Sequence, residues 1–229
     1  MGKAKMFKIN SVATFPNVFQ NPHFTNPKLI NSNGEEVELK GKWKSEVFKN
    51  SNPLVLELAC GKGDYTLALA EKYPQKNFLG VDIKGARIFT GAKNALEKNF
   101  SNVAFARMKI ENITNFFAEG EVDELWITFP DPFPKKGDAK RRLTAPSFLK
   151  RYAAICKPNT VVNFKTDDLP LFHFTREMIE EAGLPLLYYR ENIYAAPLDF
   201  AELNIQTYYE KSHLANGRTI NFLKFELKQ

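Results

Sequence analysis

Cysteine and histidine are scarce in this chain, which has two cysteines and three histidines among 229 residues. Cys60 and Cys156 stand far apart in apolar surroundings, and no close group of cysteine and histidine residues occurs. A structural zinc site needs several such ligands close together, so we expect no metal ion. We expect two buried thiols in a reducing cytoplasm, in preference to a disulfide.

Long hydrophobic runs are also absent. No apolar segment approaches the roughly 18 residues that a membrane-spanning helix requires, and the first lysines are not followed by the apolar block of a secretory signal. The sequence therefore predicts a cytoplasmic protein without a membrane span. With 44% hydrophobic residues, the chain is long enough for a globular domain with a substantial core.

Positive charge is present but unevenly placed, within a net charge of +6. Residues 1–50 hold eight lysines and four glutamates, and residues 131–157 hold eight basic and two acidic side chains. The remainder of the chain is net negative. Basicity that is confined to two segments is typical of a surface that binds a polyanion, whereas uniform basicity would indicate solubility alone.

Strand and helix patterns alternate from residue 52 onward. Seven strands are predicted, at 54–58, 77–83, 103–109, 124–129, 160–165, 186–191 and 219–227. Helices are predicted at 64–73, 84–100, 111–117, 145–156 and 169–182, with no clear helix between the last two strands. The pattern predicts an α/β fold with a mostly parallel seven-stranded sheet, helices on both faces and an antiparallel edge strand.

The first 52 residues have a different composition, polar and rich in asparagine and lysine. We expect an N-terminal basic extension over 1–52, with at most a short ribbon or helix, and the main domain over 53–229. A mobile arm is predicted for the first ten or so residues. Asn33-Gly34 is a turn signal. Four phenylalanines are expected to pin the extension to the body in preference to stacking on bases, namely Phe7, Phe15, Phe19 and Phe24.

A glycine-containing turn, ELACGKG, joins the first strand of the main domain to its helix. Gly61 and Gly63 allow the backbone to approach a ligand closely. Glu57 is a rare acid in an apolar strand, either a strand-end charge or the partner of a cationic or amino group of a cofactor. Asp82 ends the next strand, where doubly wound folds place an acid on ribose hydroxyls. Thr66 replaces the third glycine of dinucleotide-binding loops, and no P-loop pattern occurs, which favours S-adenosylmethionine over a polyphosphate cofactor.

A proline-rich loop, FPDPFPKKGDAKRR, follows the fourth strand of the main domain. Asp131 lies between Pro130 and Pro132, which fix the backbone and end regular structure. Five cations follow within eight residues: Lys135, Lys136, Lys140, Arg141 and Arg142. A rigid carboxylate beside a cluster that neutralises phosphates indicates an enzyme acting on nucleic acid. The structural alternative is a stiff surface loop with solvated charges.

Together, LELACGKG, FPDPFPKKGDAKRR and FKTDD resemble the signature of the tRNA (guanine-N7-)-methyltransferase family, with the resemblance running over residues 54–225. It implies a Rossmann-like class I fold and methyl transfer from S-adenosylmethionine to N7 of a variable-loop guanosine in tRNA. It implies that four acids line the methyl-donor pocket, Glu57, Asp82, Glu111 and Asp131. The implied substrate contacts are Lys135, Asp167, Thr207, Tyr208, Tyr209 and Glu210, and the implied RNA contacts are Lys136, Lys140, Arg141 and Arg142.

The chain departs from the family pattern at four places. Ala59 stands at the first motif glycine, and Phe133 stands where the family has tryptophan. The family usually has aspartate near Lys109, two residues before Glu111, and residues 137–139 interrupt the basic run. Two of the implied substrate segments also have structural alternatives. Asp167-Asp168 has the composition of a helix cap, and Thr207–Glu210 has that of an ordinary loop.

The predicted reaction needs no general base, because N7 of guanine has a free lone pair. The protein therefore has to align the reacting atoms, and Asp131 is expected either to stabilise the positive charge that develops on the purine or to orient the base. The alternatives are a methyltransferase of the same fold acting on another RNA base or on a protein, and a non-catalytic RNA-binding partner. An intact cofactor motif speaks against the last of these.

Overall fold

The computed structural model describes residues 2–228, which contain one mixed sheet of ten strands. Strands β1 to β10 are, in chain order, Val18–Gln20, Leu29–Ile30, Glu36–Val37, Leu54–Leu58, Asn77–Asp82, Val103–Arg107, Val122–Thr128, Cys156–Thr166, Leu186–Arg190 and Asn221–Glu226. Helices α1 to α6 are Lys3–Val12, Asp64–Lys72, Gly85–Glu97, Pro146–Ala153, Leu169–Glu181 and Tyr208–Ala215. The strand order is β3-β2-β1-β6-β5-β4-β7-β8-β10-β9.

The sheet contains every strand that the sequence predicted, but the predicted number of seven is too low. The seven correspond to β4–β10, and the extra three come from the N-terminal extension. Strands β1, β2 and β3 are only two or three residues long, too short to show an alternating pattern. β1 pairs in parallel with β6, and β2 and β3 form an antiparallel pair around the predicted turn, where Gly34 has φ +81°.

The strand order places a crevice beside the central strand β4. The chain runs from β4 through β5 to β6 on one side, and β7 and β8 lie on the other side. All of these pairings are parallel, whereas β10 runs antiparallel to both β8 and β9. The mostly parallel sheet with an antiparallel pair at one edge is thereby confirmed. In such sheets ligands bind at the carboxyl ends of the strands where the order reverses.

Helices cover both faces of the sheet, which explains the continuous apolar sequence of β4. Leu54, Leu56 and Leu58 pack in one core cluster with residues of α4 and α5, whereas Val55 packs in a second cluster with residues of α2 and α3. Each of these four side chains is almost completely buried. Because successive strand residues point to opposite faces, Glu57 faces the α2 side, as Val55 does.

The N-terminal extension packs onto the body, as the phenylalanines predicted. Phe15 stacks on Phe89 of α3, with 5.5 Å between ring centroids, and Phe19 meets the buried Trp43 edge to face. Most of the first ten or so residues, predicted as a mobile arm, lie in helix α1, and a short helix was the most structure expected of the extension. The proposed division of the chain at residue 52 stays a prediction about folding units, although β1 joins the same sheet as the main domain.

Helix α6 lies between the last two strands, where the sequence analysis found no clear helix, so that prediction was wrong. Its apolar residues form no marked stripe, and its start depends on the Thr207 side chain, which accepts a hydrogen bond from the Glu210 amide. The two cysteines are buried, as predicted. Within residues 2–228 no helix has the length and apolar character needed to cross a bilayer.

Candidate active site at the carboxyl ends of the strands

The turn between β4 and α2 leaves open space at one glycine and uses the other for packing. Gly61 and Gly63 have φ +57° and +73°, the left-handed region that favours glycine. A β-carbon at Gly63 would lie 2.6 Å from the Phe105 ring, whereas one at Gly61 would meet no atom within 4 Å. Ala59 shares the left-handed conformation, with φ +57°, which costs an alanine roughly 1 kcal/mol. The motif glycine that this chain lacks would avoid that cost.

Glu57 connects β4 to the neighbouring elements beneath this turn. One of its oxygens accepts hydrogen bonds from the Thr66 amide, at 2.7 Å, and from the Thr66 hydroxyl, and the other accepts from the Thr128 hydroxyl at 2.8 Å. Burial raises the pKa of Glu57 to about 7, more than these hydrogen bonds lower it. Thr66, in the position of the missing third glycine, therefore ties α2 to β4.

Asp82 shapes the other side of the turn. Its oxygens accept from the Gly61 amide at 2.9 Å and from the Lys84 amide at 2.7 Å. Burial raises the pKa of this carboxyl group, although both hydrogen bonds oppose the shift. Each carboxylate oxygen has a second lone pair, so Asp82 can still accept hydrogen bonds from hydroxyl groups of a ligand.

Three neighbouring cavities open at the carboxyl ends of the strands. The turn cavity, about 40 Å³, is lined by Glu57, Gly61, Thr207 and Tyr209 among others. The carboxylate cavity, about 340 Å³, is lined by Asp82, Glu111, Asp131 and Arg141 among others. The loop cavity, about 220 Å³, is lined by Asp131, Asp167 and Tyr209 among others. Nine predicted site residues from distant parts of the sequence thus line adjoining cavities.

Asp131 lies where the carboxylate cavity meets the loop cavity. Its side chain is exposed, and no hydrogen bond or ion pair joins it to another residue of the described chain. The loop around it is held in an unusual backbone conformation, with φ +50° at Phe129 and +45° at Phe133. Non-glycine residues in this region concentrate at functional sites. The backbone on both sides of Asp131 is therefore constrained, and the carboxylate is available to a ligand.

The basic run after Asp131 divides into one supporting arginine and an exposed group. Arg142 donates hydrogen bonds to the carbonyl oxygens of Pro132 and Phe133, both at 3.1 Å, and its guanidinium lies over the Phe174 ring. Arg142 thus supports the proline loop. The other four cations are exposed and suited to contacts with phosphate, namely Lys135, Lys136, Lys140 and Arg141. The three lysines form no ion pair with any residue from 2 to 228.

The two acids after β8 have separate roles. Asp168 caps α5 by accepting a hydrogen bond from the Leu171 amide at 2.7 Å. This is the helix cap that the sequence offered as the alternative to a substrate contact. Asp167 lines the loop cavity and forms ion pairs with Arg218, at 2.6 Å, and His213, at 3.4 Å. The cap is thus formed by one acid of the pair, and the other faces the cavity.

The Thr207–Glu210 segment is the N-terminal turn of α6, and its four residues point in different directions. Thr207 and Tyr209 line cavities. Tyr208 is 62% exposed and lies under the Lys62 amine, 3.9 Å from its ring centroid. Glu210 is completely buried, where it pairs with Lys165 at 2.7 Å and accepts from Tyr194. Glu210 lines none of the three cavities, so it acts on the site through the position of α6.

Two arginines that the sequence analysis did not identify line the cavities. Arg87, in the first turn of α3, lines all three of them, and Arg218 lines the loop cavity. An arginine in an amphipathic helix has the same pattern as a solvated surface charge, so no signal identified Arg87. Gly63 lies outside the cavities because it packs on Phe105.

Comparisons with known proteins establish the family. The family model Methyltransf_4, described as "Putative methyltransferase", matches residues 51–223. The chain belongs to this methyltransferase family. A tRNA (guanine-N(7)-)-methyltransferase of Bacteroides fragilis is 45% identical to it over 229 residues, which cover 100% of this chain and 88% of that protein. The protein of the same name from Christiangramia forsetii is 44% identical over 227 residues, covering 99% and 98%. The family resemblance inferred from the motifs is confirmed.

Solved structures of other methyltransferases share the fold of this methyltransferase. The 16S rRNA methyltransferase KamB has a TM-score of 0.64 at 16% identity, covering 85% of this chain and 97% of that one. An antibiotic-related methyltransferase has a TM-score of 0.62 at 19% identity, covering 84% and 96%. At such low identity the likeness concerns the fold, and it confirms the Rossmann-like class I methyltransferase architecture.

Proposed function

We propose that this methyltransferase transfers a methyl group from S-adenosylmethionine to N7 of a guanosine in tRNA, forming 7-methylguanosine. The observation that carries the proposal is the position of Asp131 between the carboxylate and loop cavities, beside a cluster of exposed cations. The names of relatives that are 43–45% identical support tRNA as the substrate.

The residues at the turn fit a nucleoside-type methyl donor. The open space at Gly61 leaves room for a ligand against the backbone, and the buried Asp82 has lone pairs for ribose hydroxyls. Met108 and Ile110 give the carboxylate cavity an apolar wall suited to an adenine ring. Glu111 lines the same cavity as a further acceptor for polar groups. S-adenosylmethionine, when bound, supplies the electrophilic methyl group.

The chemical role of Asp131 follows from the change of charge in the reaction. The purine becomes positively charged as its N7 gains a methyl group, and a nearby carboxylate stabilises that charge. A carboxylate also accepts hydrogen bonds from the N1 and N2 edge of guanine, which would orient the base. Either role requires that the guanosine leave its stacked position and enter the loop cavity, where Asp167 and Tyr209 complete the walls.

The exposed cations of the proline loop would bind the phosphates of the same RNA. Lys135, Lys136, Lys140 and Arg141 follow Asp131 directly in the sequence, so an RNA strand held by them would pass beside the loop cavity. Such contacts make binding depend steeply on salt, because phosphate neutralisation releases counterions. Tyr208 offers an exposed ring next to Lys62 of the turn cavity, suited to stacking on a base.

Nucleoside analysis tests this proposal. The purified protein is incubated with methyl-labelled S-adenosylmethionine and bulk unmodified tRNA, the RNA is digested to nucleosides, and the label is assigned. We expect the label in 7-methylguanosine, at one position that fragment mapping places in the variable loop. Label in another nucleoside, or in protein only, would contradict the proposal. The Asp131→Asn variant is the matched control for contaminating methyltransferases.

A further inference from the structure

Arg87 occupies a position shared by no other charged residue of the described chain, because it lines the turn, carboxylate and loop cavities. It lies in the first turn of α3, five residues after Asp82, and its side chain is half-buried. Phe129, directly after β7, also lines all three cavities. The guanidinium therefore stands where the cofactor and substrate spaces meet.

The guanidinium of Arg87 has no hydrogen bond or ion pair with any residue of 2–228. Its charge lowers the pKa of Asp82 through space, a minor contribution beside burial. This through-space attraction leaves the N–H groups of the guanidinium without a hydrogen-bond acceptor among the described residues. A bound ligand with an anionic group would supply the missing acceptor.

Two anionic groups are available in the proposed reaction, the carboxylate of the methyl donor and a phosphate of the RNA. The turn cavity already has Lys62, whose amine lies over the Tyr208 ring and forms no ion pair within the described residues. In the loop cavity the other basic residues, Arg218 and His213, are both engaged by Asp167. Arg87 is therefore the arginine of the loop cavity that remains free to bind a phosphate.

We infer that Arg87 binds a phosphate adjacent to the target guanosine and so holds the nucleotide in the loop cavity while Asp131 faces its base. This inference rests on the proposed function. Arginine suits the role because its planar guanidinium pairs with two phosphate oxygens at once. A guanosine that enters the loop cavity brings its own phosphates with it, and these need a cation inside the site as well as on its rim.

The test compares tRNA substrates that differ in a single charge. Substrates are assembled with a neutral methylphosphonate linkage on the 5′ or the 3′ side of the guanosine that the wild-type protein methylates. The kcat/KM of methylation is measured for the wild type, Arg87→Gln and Arg87→Lys. Lys93→Gln is the control, because Lys93 lies on the same helix, pairs with Glu97 and lines none of the three cavities.

We expect the wild type and Lys93→Gln to lose on the order of 10-fold to 100-fold in kcat/KM with one of the two neutral linkages, the usual size of a charge-assisted hydrogen bond. Arg87→Gln should have a low kcat/KM with the fully charged substrate. Its kcat/KM should fall little further with either neutral linkage. Arg87→Lys, which keeps the charge, should recover part of the discrimination. A purely structural role for Arg87 would leave the discrimination between the linkages unchanged.

One result would overturn the inference while leaving the proposed function intact, namely that Arg87→Gln discriminates between charged and neutral linkages as strongly as the wild type does. If that variant also lowers the calorimetric affinity for S-adenosylhomocysteine more than 10-fold, Arg87 is assigned to the carboxylate of the donor instead. A wild type that methylates no guanosine of tRNA would refute the proposed function, and with it this role of Arg87.

Discussion

Glu57 shows how a single buried carboxyl group connects the stability of the fold to pH. Its pKa is raised by burial from the ordinary 4.5 to about 7, so the folded protein holds a proton that the unfolded chain releases. The stabilisation from this proton is fully present below pH 4.5 and is lost as the pH rises towards 7. The total effect is on the order of 3 kcal/mol.

The first prediction concerns Glu57→Gln, which keeps an acceptor for Thr66 and removes the titration. The free energy of unfolding of the wild type should fall relative to the variant as the pH rises from 5 to 7.5, by roughly 2 kcal/mol. Urea denaturation of both proteins at several pH values measures the difference. Parallel curves for the two proteins would show that Glu57 does not titrate in this range.

The second prediction separates Arg141 from Arg142. Arg141→Ala should weaken tRNA binding and reduce the slope of log affinity against log salt by about 1, with little change in stability. Arg142→Ala should destabilise the protein by roughly 1–3 kcal/mol, because the partly buried carbonyl oxygens of Pro132 and Phe133 lose their donor. It should also slow methylation, because the proline loop is displaced. Salt-dependent binding assays and urea denaturation distinguish the two. Equal effects of both variants on the salt slope, with unchanged stability, would contradict this division.

The third prediction concerns the two glycines of the turn, which are equivalent in sequence but different in space. Gly63→Ala should destabilise the protein by roughly 3 kcal/mol, since the new methyl group strikes Phe105 and the backbone is left-handed. Gly61→Ala, the matched control, should cost about 1 kcal/mol in stability and reduce affinity for S-adenosylhomocysteine. Similar unfolding free energies for the two variants would refute the assigned packing role of Gly63.

The environment of a single residue was predictable where the local sequence constrains the backbone. It was harder to predict where the residue contacts a partner far along the chain. The prolines around Asp131 indicated an exposed loop position, and the position of Asp82 at the end of β5 indicated a ligand-facing acid. Both residues line the carboxylate cavity. The role of Arg142 could not be predicted, because its acceptors are backbone carbonyl groups that any residue type provides. The buried ion pair of Glu210 could not be predicted either, since its partner Lys165 is 45 residues away.

At the scale of elements, the segment from β9 to β10 is fixed to the sheet by buried polar contacts. Lys165 of β8 is completely buried and donates to Glu210 of α6 and to the Leu203 and Ile205 carbonyl groups. Burial lowers the pKa of Lys165, and Glu210 opposes the shift. This pair positions α6, which places Tyr209 and Thr207 in the cavity walls.

The fourth prediction follows from that pair. Glu210→Ala leaves the Lys165 amine buried without its carboxylate and should destabilise the protein by roughly 3–5 kcal/mol, whereas the double variant Lys165→Met with Glu210→Met should recover much of that loss. Urea denaturation of the single and double variants measures this. If Glu210→Ala instead retains wild-type stability and only raises the KM for tRNA, Glu210 contacts the substrate directly.

The bounds of elements with a clear hydrophobic pattern were predicted within a few residues. The errors concern elements whose hydrophobic pattern is weak. Strands β4–β10 are long and apolar, so their pattern is clear. Helices α1 and α6 lack a marked apolar face and form because neighbouring elements hold them. The segment after β6, predicted as a helix, is a 3₁₀ turn over Ile110–Asn115, a conformation that local sequence does not distinguish from α-helix.

At the scale of the whole molecule, the strand order brings together acids that are far apart in the sequence. Asp82 ends β5, Glu111 follows β6 and Asp131 follows β7, and all three line the carboxylate cavity because the strand order reverses beside β4. The position of these strand ends was predictable from the α/β pattern. The division of the space into three cavities was not, because α6 and Arg87 form walls that no local pattern indicated.

Single-turnover methylation of tRNA by Asp131→Asn tests whether Asp131 acts on the guanosine in this reaction. We expect a rate at least about 100-fold below the wild type, the usual cost of removing a group that stabilises transition-state charge. Affinities for S-adenosylhomocysteine and tRNA, and the unfolding free energy, should stay close to wild type. A single-turnover rate within threefold of the wild type would show that Asp131 has no such role.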